Sequence, residues 1–198
     1  MIVIIDYGVG NLASVKNALD KLGIKSKISG DPKIIESGTA LILPGVGAAR
    51  QGMKNLKKLG LNKIIITEIK KGKPFLGICL GMQLLFESSE EGNVNCLGIF
   101  KGSVKKFKKM KKIPQIGWNE VKCKAFQNIP DNSFFYFVNS YYCLPKDKDI
   151  IAGITDYGEI FASIIVSNNV IGVQFHPEKS GKIGFQLLKN FCERSKKC

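Results

Sequence analysis

Histidine and arginine are scarce in this chain of 198 residues, which contains one histidine, His176, and two arginines, Arg50 and Arg194. The net charge is nonetheless +14, so most of the positive charge is lysine. Lysine lacks the planar fork that makes specific contacts with phosphates and bases. The densest lysine run, residues 101–112, offers only Phe107 for stacking on a base. The pattern therefore favours a solvated lysine surface over a nucleic-acid site, and docking to an acidic protein partner stays open.

Other absences narrow the class of protein. No apolar run approaches the roughly 20 residues that span a bilayer. The apolar start, residues 1–5, lacks the basic residues and long apolar middle of a signal peptide. The six cysteines form no C-x-x-C pair and no recognisable zinc or disulfide spacing. We therefore expect a cytoplasmic protein with reduced thiols, no membrane segment, no metal and no cofactor. Its length fits one domain over residues 1–198.

The most informative stretch is residues 74–83, where an apolar strand runs straight into a helix with Cys79 at the corner. Gly77 and Gly81 flank this thiol with the spacing of a nucleophile elbow, a strained strand-to-helix turn that exposes a nucleophile. The N-terminus of the following helix would stabilise a thiolate. The same sequence is also compatible with a cysteine that is simply buried in a parallel strand, because small buried thiols are common in protein cores. The pattern alone leaves both interpretations open.

Strands and helices alternate through the first half of the chain. Residues 1–6 and 40–43 are predicted strands, and helical periodicity follows each of them. The second strand ends in a glycine-rich loop, residues 44–47, whose amides could form an oxyanion hole or a plain turn. After Gly98 the segments become short and β-rich, with a hairpin turn at residues 168–169. The pattern predicts an α/β fold with a parallel sheet, helices on both faces and ligands at the carboxyl ends of the strands.

The turn after the first predicted strand has an alternative interpretation. Gly8, Gly10 and Ala13 satisfy the loose fingerprint of dinucleotide-binding folds, and Asp31 lies near the distance expected for a ribose-binding acid. Glycine-rich turns after a first strand are common in α/β proteins. The match is therefore weak evidence for a nicotinamide or flavin site.

His176 is the natural partner for a nucleophilic thiol, which needs a base to take its proton and an acid for the leaving group. It follows the predicted strand 170–175, at the end where parallel strands place ligands. Glu178 lies two residues further on, so both side chains point to one side of an extended segment. The carboxylate could then hold the tautomer and orientation of the ring. A surface histidine beside a glutamate has the same sequence, but the elbow favours the catalytic interpretation.

Two motifs together resemble the class I (triad) glutamine amidotransferases: GICLGMQ at residues 77–83 and QFHPE at residues 174–178. Four others narrow the resemblance to the glutaminase subunits of imidazole glycerol phosphate synthases. These are DYGVGN (6–11), PGVG (44–47), GWN (117–119) and HPEKS (176–180). The resemblance implies a single-domain, flavodoxin-like α/β fold. Its central sheet would be mostly parallel, flanked by helices, with an additional smaller antiparallel β portion.

The resemblance also implies a mechanism. Cys79 would attack the carboxamide of glutamine, His176 would pass the proton to departing ammonia, and Glu178 would orient His176. Water would then cleave the glutamyl thioester. The implied oxyanion hole comprises Val46, Gly47 and Leu80. The implied glutamine pocket comprises Gly45, Gln83, Glu91, Ser140 and Tyr141, with Glu91 paired to the substrate ammonium.

A partner is implied as well, namely a (β/α)8 cyclase that receives ammonia through a tunnel and uses it in histidine biosynthesis. The implied interface positions are Asn11, Trp118, Tyr136 and Lys179. The loop at residues 45–47 can face the wrong way in this family until a partner binds, so activity would depend on the partner.

Two departures bear on the identity of that partner, because Gln115 and Asn139 stand where the family usually shows histidine. Related glutaminases serve synthetases that add an amidino group to bacterial surface sugars, and this alternative stays open. A catalytically silent protein that only regulates a partner is a third interpretation.

Overall fold

The computed structural model describes residues 1–108, 112–123, 126 and 129–194. Within these ranges, thirteen strands are linked in one sheet and six α-helices and one 3-10 turn surround it. The strands are β1 (Ile2–Ile5), β2 (Ser26–Ser29), β3 (Ala40–Gly45), β4 (Phe75–Cys79), β5 (Phe86–Ser89), β6 (Val94–Asn95), β7 (Phe100–Lys106), β8 (Gln115–Cys123), β9 (Ser133–Asn139), β10 (Tyr141–Pro145), β11 (Ile151–Asp156), β12 (Ile160–Ser167) and β13 (Val170–Val173). The helices are α1 (Leu12–Lys21), α2 (Pro32–Ser37), α3 (Ala49–Lys58), α4 (Leu61–Lys70), α5 (Leu80–Gln83) and α6 (Gly181–Arg194), and the 3-10 turn is Pro177–Lys179.

The centre of the sheet is parallel, in the order β2-β1-β3-β4-β13. This is the strand order of flavodoxin-like folds, in which ligands bind at the carboxyl ends of the strands. The register pairs Gly45 at the end of β3 with Cys79 at the end of β4, and Val173 at the end of β13 with Ile78. Residues that follow these three strands therefore meet at one edge of the sheet.

Helices cover both faces of the parallel centre, as the continuous apolar strands require. Leu76 and Ile78 of β4 pack in a core cluster that includes residues of α1 and α6. Phe75 of the same strand packs on the opposite face, with residues of α2, α3 and α4. Each large apolar side chain buried in this way contributes about 1.5–3 kcal/mol. The site at the strand ends is thus built on three strands in which every residue is buried.

An antiparallel part extends the sheet beyond β13 through β12, β10 and β7, and β8, β9 and β11 join it off this path. The predicted hairpin turn at residues 168–169 is confirmed, and Asn168 adopts a φ of 51° there. The predicted α/β fold, with a parallel centre and an antiparallel portion, is therefore confirmed. No helix among the described residues is long and apolar enough to cross a membrane.

The glycine-rich turn after β1 packs against the end of β3. Gly8 and Gly10 both have positive φ angles, 77° and 116°. A Cβ on Gly10 would lie 3.3 Å from the Cα of Gly45 and 3.3 Å from the carbonyl oxygen of Pro44. The glycine therefore allows a close approach to the end of β3, which gives the dinucleotide-like spacing a structural cause.

Candidate active site

Cys79 occupies a strained corner between β4 and α5, with a φ of 53° and a ψ of −109°. Two glycines permit this corner. A Cβ on Gly81 would lie 1.7 Å from the carbonyl oxygen of Leu43, and one on Gly77 would lie 2.9 Å from backbone atoms of Gly81. The glycines of the elbow are thus needed for backbone contacts. Strain of this kind at a non-glycine residue is frequent at functional sites.

The helix after Cys79 is shorter than the elbow pattern suggests, because α5 spans only Leu80–Gln83. A single turn has few aligned peptide dipoles, so its N-terminus is a weaker source of positive potential than that of a full helix. The helix N-terminus expected behind Cys79 is therefore only one turn long.

His176 and Glu178 are held together directly after β13. The Nδ1 of His176 lies 2.8 Å from Oε1 of Glu178, and both side chains are buried. Burial alone would lower the pKa of His176, but hydrogen bonds and negative charge from Cys79 and Glu178 raise it to about 10. The ring therefore favours the imidazolium form at neutral pH, between the sulfur of Cys79 and the carboxylate of Glu178.

The backbone around His176 is fixed by β9. The N–H of His176 donates to the Tyr136 carbonyl at 2.9 Å, and the His176 carbonyl accepts from the Ser180 hydroxyl at 2.6 Å. The Ser180 hydroxyl in turn accepts from the N–H of Tyr136 at 3.0 Å. Three residues thus form a closed set of hydrogen bonds that connects the histidine to the strand carrying Tyr136.

The sulfur of Cys79 has a polar environment made by two glutamines. The Nε2 of Gln174 donates to Cys79 Sγ at 3.5 Å. Gln83 donates from Nε2 to Oε1 of Gln174 at 3.0 Å and to the Tyr141 carbonyl at 3.1 Å. The thiol also lies 3.8 Å from the Val138 carbonyl. This chain of amides fixes where the sulfur sits in the wall of the cavity.

A cavity of about 320 Å³ opens above the thiol. Ten of the predicted site residues line it: Val46, Gly47, Cys79, Leu80, Gln83, Glu91, Ser140, Tyr141, His176 and Lys179. Gly45 and Glu178 lie behind this lining, at the end of β3 and beneath His176. The predicted catalytic, oxyanion and substrate residues are thus brought to one place from distant parts of the chain.

The predicted oxyanion loop joins β3 to α3. Val46 is exposed and Gly47 has a φ of 93°, a conformation that favours glycine. The N-cap of α3, Ala48, has no side-chain hydrogen bond of its own. Instead, Oε2 of Glu91 accepts from the N–H of Ala49 at 2.8 Å. Burial raises the pKa of Glu91, whereas this hydrogen bond lowers it, and burial prevails. A cavity-lining carboxylate therefore contacts the segment that follows the loop.

Of the four predicted interface residues, Lys179 lines the cavity, whereas Asn11, Trp118 and Tyr136 lie outside its lining. Trp118 and Tyr136 are opposite each other across β8 and β9, with ring centroids 6.1 Å apart. Asn11 is the N-cap of α1 and accepts from the N–H of Ser14 at 3.2 Å. Large exposed apolar side chains share the same two strands, namely Ile116, Trp118, Phe134 and Val138. We name these four residues the β8–β9 apolar face.

Gln115 and Asn139, which replace the usual histidines, face each other across β8 and β9. Both are buried. Nδ2 of Asn139 donates to the Tyr141 carbonyl at 3.0 Å. Both amide atoms of Gln115 and Oδ1 of Asn139 have no hydrogen-bond partner among the described residues. A neutral amide pair therefore lies beside the cavity that Asn139 helps to line.

Comparison with known proteins decides the family. The model of the family "Glutamine amidotransferase class-I" matches residues 3–194. The chain is a class I glutamine amidotransferase.

Similar proteins and structures agree with this membership. The chain is 48% identical to the imidazole glycerol phosphate synthase subunit HisH of Dehalococcoides mccartyi (strain CBDB1), over 96% of each chain. It is 48% identical to subunit HisH 2 of Methanococcus maripaludis, over 98% of this chain and all of the relative. A crystal structure of a glutamine amidotransferase superposes with a TM-score of 0.79 at 18% identity, over 99% of this chain and 100% of that one. At that identity the superposition demonstrates the shared fold.

In this glutamine amidotransferase, sequence reasoning gave no role to Gln174, Ser180 or Tyr7. Gln174 is fully buried near the end of the predicted strand 170–175, where the other residues are apolar. A polar residue in such a strand could have indicated a role in the site. Ser180 was visible only as part of a motif. Tyr7 was likewise visible only as part of a motif, because its position relative to Gly45 depends on the pairing of β1 with β3.

Proposed function

We propose that this chain hydrolyses glutamine to glutamate and ammonia, and that it does so as the glutaminase subunit of an imidazole glycerol phosphate synthase. The single observation behind the hydrolysis is the arrangement at the carboxyl edge of the sheet. A strained cysteine faces a cavity, and a histidine held by a carboxylate at 2.8 Å acts on it. Cys79, His176 and Glu178 are the proposed catalytic residues.

The reaction follows from the chemistry of these groups. The sulfur of Cys79 attacks the side-chain carbonyl carbon of glutamine, and the thiol proton resides on His176. The imidazolium gives that proton to the leaving nitrogen, which departs as ammonia and leaves a glutamyl thioester. His176 then removes a proton from water, the hydroxide attacks the thioester, and the proton returns to the departing thiolate. Glutamate is released and the enzyme is regenerated.

Two further groups assist this reaction. The amide N–H of Leu80 and one from Val46 or Gly47 would bind the oxyanion, and each such donor is typically worth about 3 kcal/mol of barrier. Glu91 would pair with the ammonium of glutamine, and Gly45, Gln83 and the backbone of Ser140 and Tyr141 would complete the pocket. Glu91 also accepts a hydrogen bond from the N–H of Ala49, which follows the oxyanion loop. Binding of glutamine to Glu91 would therefore affect the position of this loop.

The proposed partner is a (β/α)8 cyclase that consumes the ammonia. The β8–β9 apolar face supports a protein partner, since exposed apolar side chains on neighbouring strands mark interaction surfaces. Asn11, Trp118, Tyr136 and Lys179 are the proposed interface positions. Tyr136 bonds the His176 backbone directly, so a partner that shifts β9 also acts on the catalytic histidine. The similarity to the HisH subunits favours the histidine pathway over an amidino-sugar synthetase.

The test is glutamate release by the purified chain, alone and with the cyclase subunit from the same source. We expect the complex to be active and Cys79→Ser to remove the activity. Cys96→Ser is the matched control, because Cys96 is a partly exposed thiol outside the cavity whose pKa burial raises to about 11. Activity retained in Cys79→Ser would refute the mechanism. Activation by an amidino-sugar synthetase in place of the cyclase would refute the assignment to histidine biosynthesis. A chain that binds its partner but releases no glutamate would be a regulatory protein.

A further inference from the structure

Tyr7 is fully buried directly after β1, yet its hydroxyl has no hydrogen-bond partner among the described residues. The carbonyl of the same residue does have a partner, because it accepts from Nδ2 of Asn55 at 2.9 Å. A buried hydroxyl without a partner destabilises a fold, whereas a phenylalanine ring would fill nearly the same space without that cost. A hydrogen bond that the hydroxyl makes in another conformation would explain why the residue is tyrosine and not phenylalanine.

The hydroxyl lies against Gly45, which is in turn packed against Leu80 in the other segment of the proposed oxyanion hole. A Cβ built on Gly45 would be 2.3 Å from the Tyr7 oxygen and 2.8 Å from Cβ of Leu80. Gly45 immediately precedes Val46, and the N–H of Leu80 is the other proposed donor. The ring of Tyr7 also comes close to Gly52 of α3, where a Cβ would lie 3.5 Å from the ring carbon Cε2. The tyrosine is therefore packed behind the loop at residues 45–47.

The protonation state of this hydroxyl is fixed. Burial raises the pKa of Tyr7 far above its ordinary value, and the negative charge of Cys79 raises it further. The phenol therefore stays neutral at any working pH, and its O–H is available as a donor.

Rotation of a peptide unit moves its two polar groups in opposite directions. If the peptide between Gly45 and Val46 turns its N–H toward the oxyanion, its carbonyl turns toward the interior, where a buried carbonyl needs a donor. We propose that the Tyr7 hydroxyl donates a hydrogen bond to the Gly45 carbonyl in that conformation, and that Tyr7 is a positioning residue of the oxyanion hole. This inference rests on the proposed glutaminase function.

The test compares Tyr7→Phe with the unsubstituted chain, each in complex with the cyclase subunit. Loss of one hydrogen bond present only in the competent loop should lower kcat about 3-fold to 10-fold. KM for glutamine should not change, because the hydroxyl does not line the glutamine cavity. The melting temperature of the chain should stay the same or rise, since the variant removes an unpaired buried hydroxyl.

Thr155→Val is the matched control, because Thr155 lies on β11 and its hydroxyl is also buried without a partner among the described residues. It should leave kcat unchanged. An unchanged kcat in Tyr7→Phe beside an active reference complex would overturn the inference alone. A lowered melting temperature with kcat and KM changed together would also overturn it, because that result indicates a structural role. An inactive reference complex would instead refute the proposed function, and the inference with it.

Discussion

Replacing Gly81 with alanine should break the elbow that presents Cys79. The added Cβ would lie 1.7 Å from the carbonyl oxygen of Leu43 and 2.8 Å from its carbonyl carbon. Both atoms belong to the backbone of β3, which lies between β1 and β4 in the middle of the parallel sheet. A side chain could rotate away from such a contact, but a central strand cannot. The strain must therefore be relieved by displacing α5 from β3.

The size of the effect follows from that geometry. Ordinary contact begins at 3.4 Å, so the two segments must separate by about 1.7 Å. Overpacking a well-packed core costs typically 1–3 kcal/mol, and a clash with backbone belongs at the upper end, about 3 kcal/mol. For a chain of this length each kcal/mol lowers the melting temperature by about 2–4 °C, so we expect a loss of roughly 6–12 °C.

The assay is thermal unfolding, followed by glutamate release by the complex at a temperature where both variants are folded. Gly60→Ala is the control, because Gly60 has a φ of 70° but a Cβ there would meet open space. It should cost only the backbone strain, about 1 kcal/mol, and leave activity unchanged. Displacement of the elbow in Gly81→Ala should instead lower kcat at least tenfold. A Gly81→Ala variant that melts and turns over like the Gly60→Ala control would refute the reasoning.

Two charge pairs give further predictions. Since the pKa of His176 is about 10 against an ordinary 6.5, kcat/KM for glutamine should fall above about pH 10, and Glu178→Gln should move this limb to lower pH. The raised pKa of His176 stabilises the fold fully below pH 6.5 and progressively less toward pH 10, so the melting temperature of the unsubstituted chain should decline between these pH values. If the alkaline fall of kcat/KM lies at the same pH in Glu178→Gln as in the unsubstituted chain, Glu178 does not raise the pKa of His176. Glu68→Gln should lower the free energy of unfolding in urea by about 2 kcal/mol, because the carboxylate is buried and binds Lys73 at 2.5 Å. An unchanged unfolding midpoint would refute this and show that the Ile35 and Glu36 carbonyls, which already accept from Nζ of Lys73, satisfy that ammonium without the carboxylate.

The sequence determined the class of fold and the family. Alternating strands and helices predict a parallel sheet, which is confirmed, and a ligand site at the carboxyl ends of its strands, which stays a prediction. The spacing of Gly77, Cys79 and Gly81 is local, so it could be recognised without knowing which strands pair. The interval between His176 and Glu178 is equally local, and the structure places the two side chains 2.8 Å apart. The assignment of their catalytic roles remains a prediction.

The tertiary structure decided everything that depends on the register between distant strands. Gln174 reaches the sulfur of Cys79 because β13 pairs with β4, across 95 positions of sequence. Glu91 reaches the N–H of Ala49 across 42 positions, and the Tyr7 hydroxyl abuts Gly45 because β1 pairs with β3. No local pattern encodes these contacts, since hydrophobic periodicity specifies which face of a strand is buried but leaves open which strand lies beside it. The sequence therefore predicted a nucleophile and its histidine, whereas the groups that contact them from distant strands emerged only when the sheet was assembled.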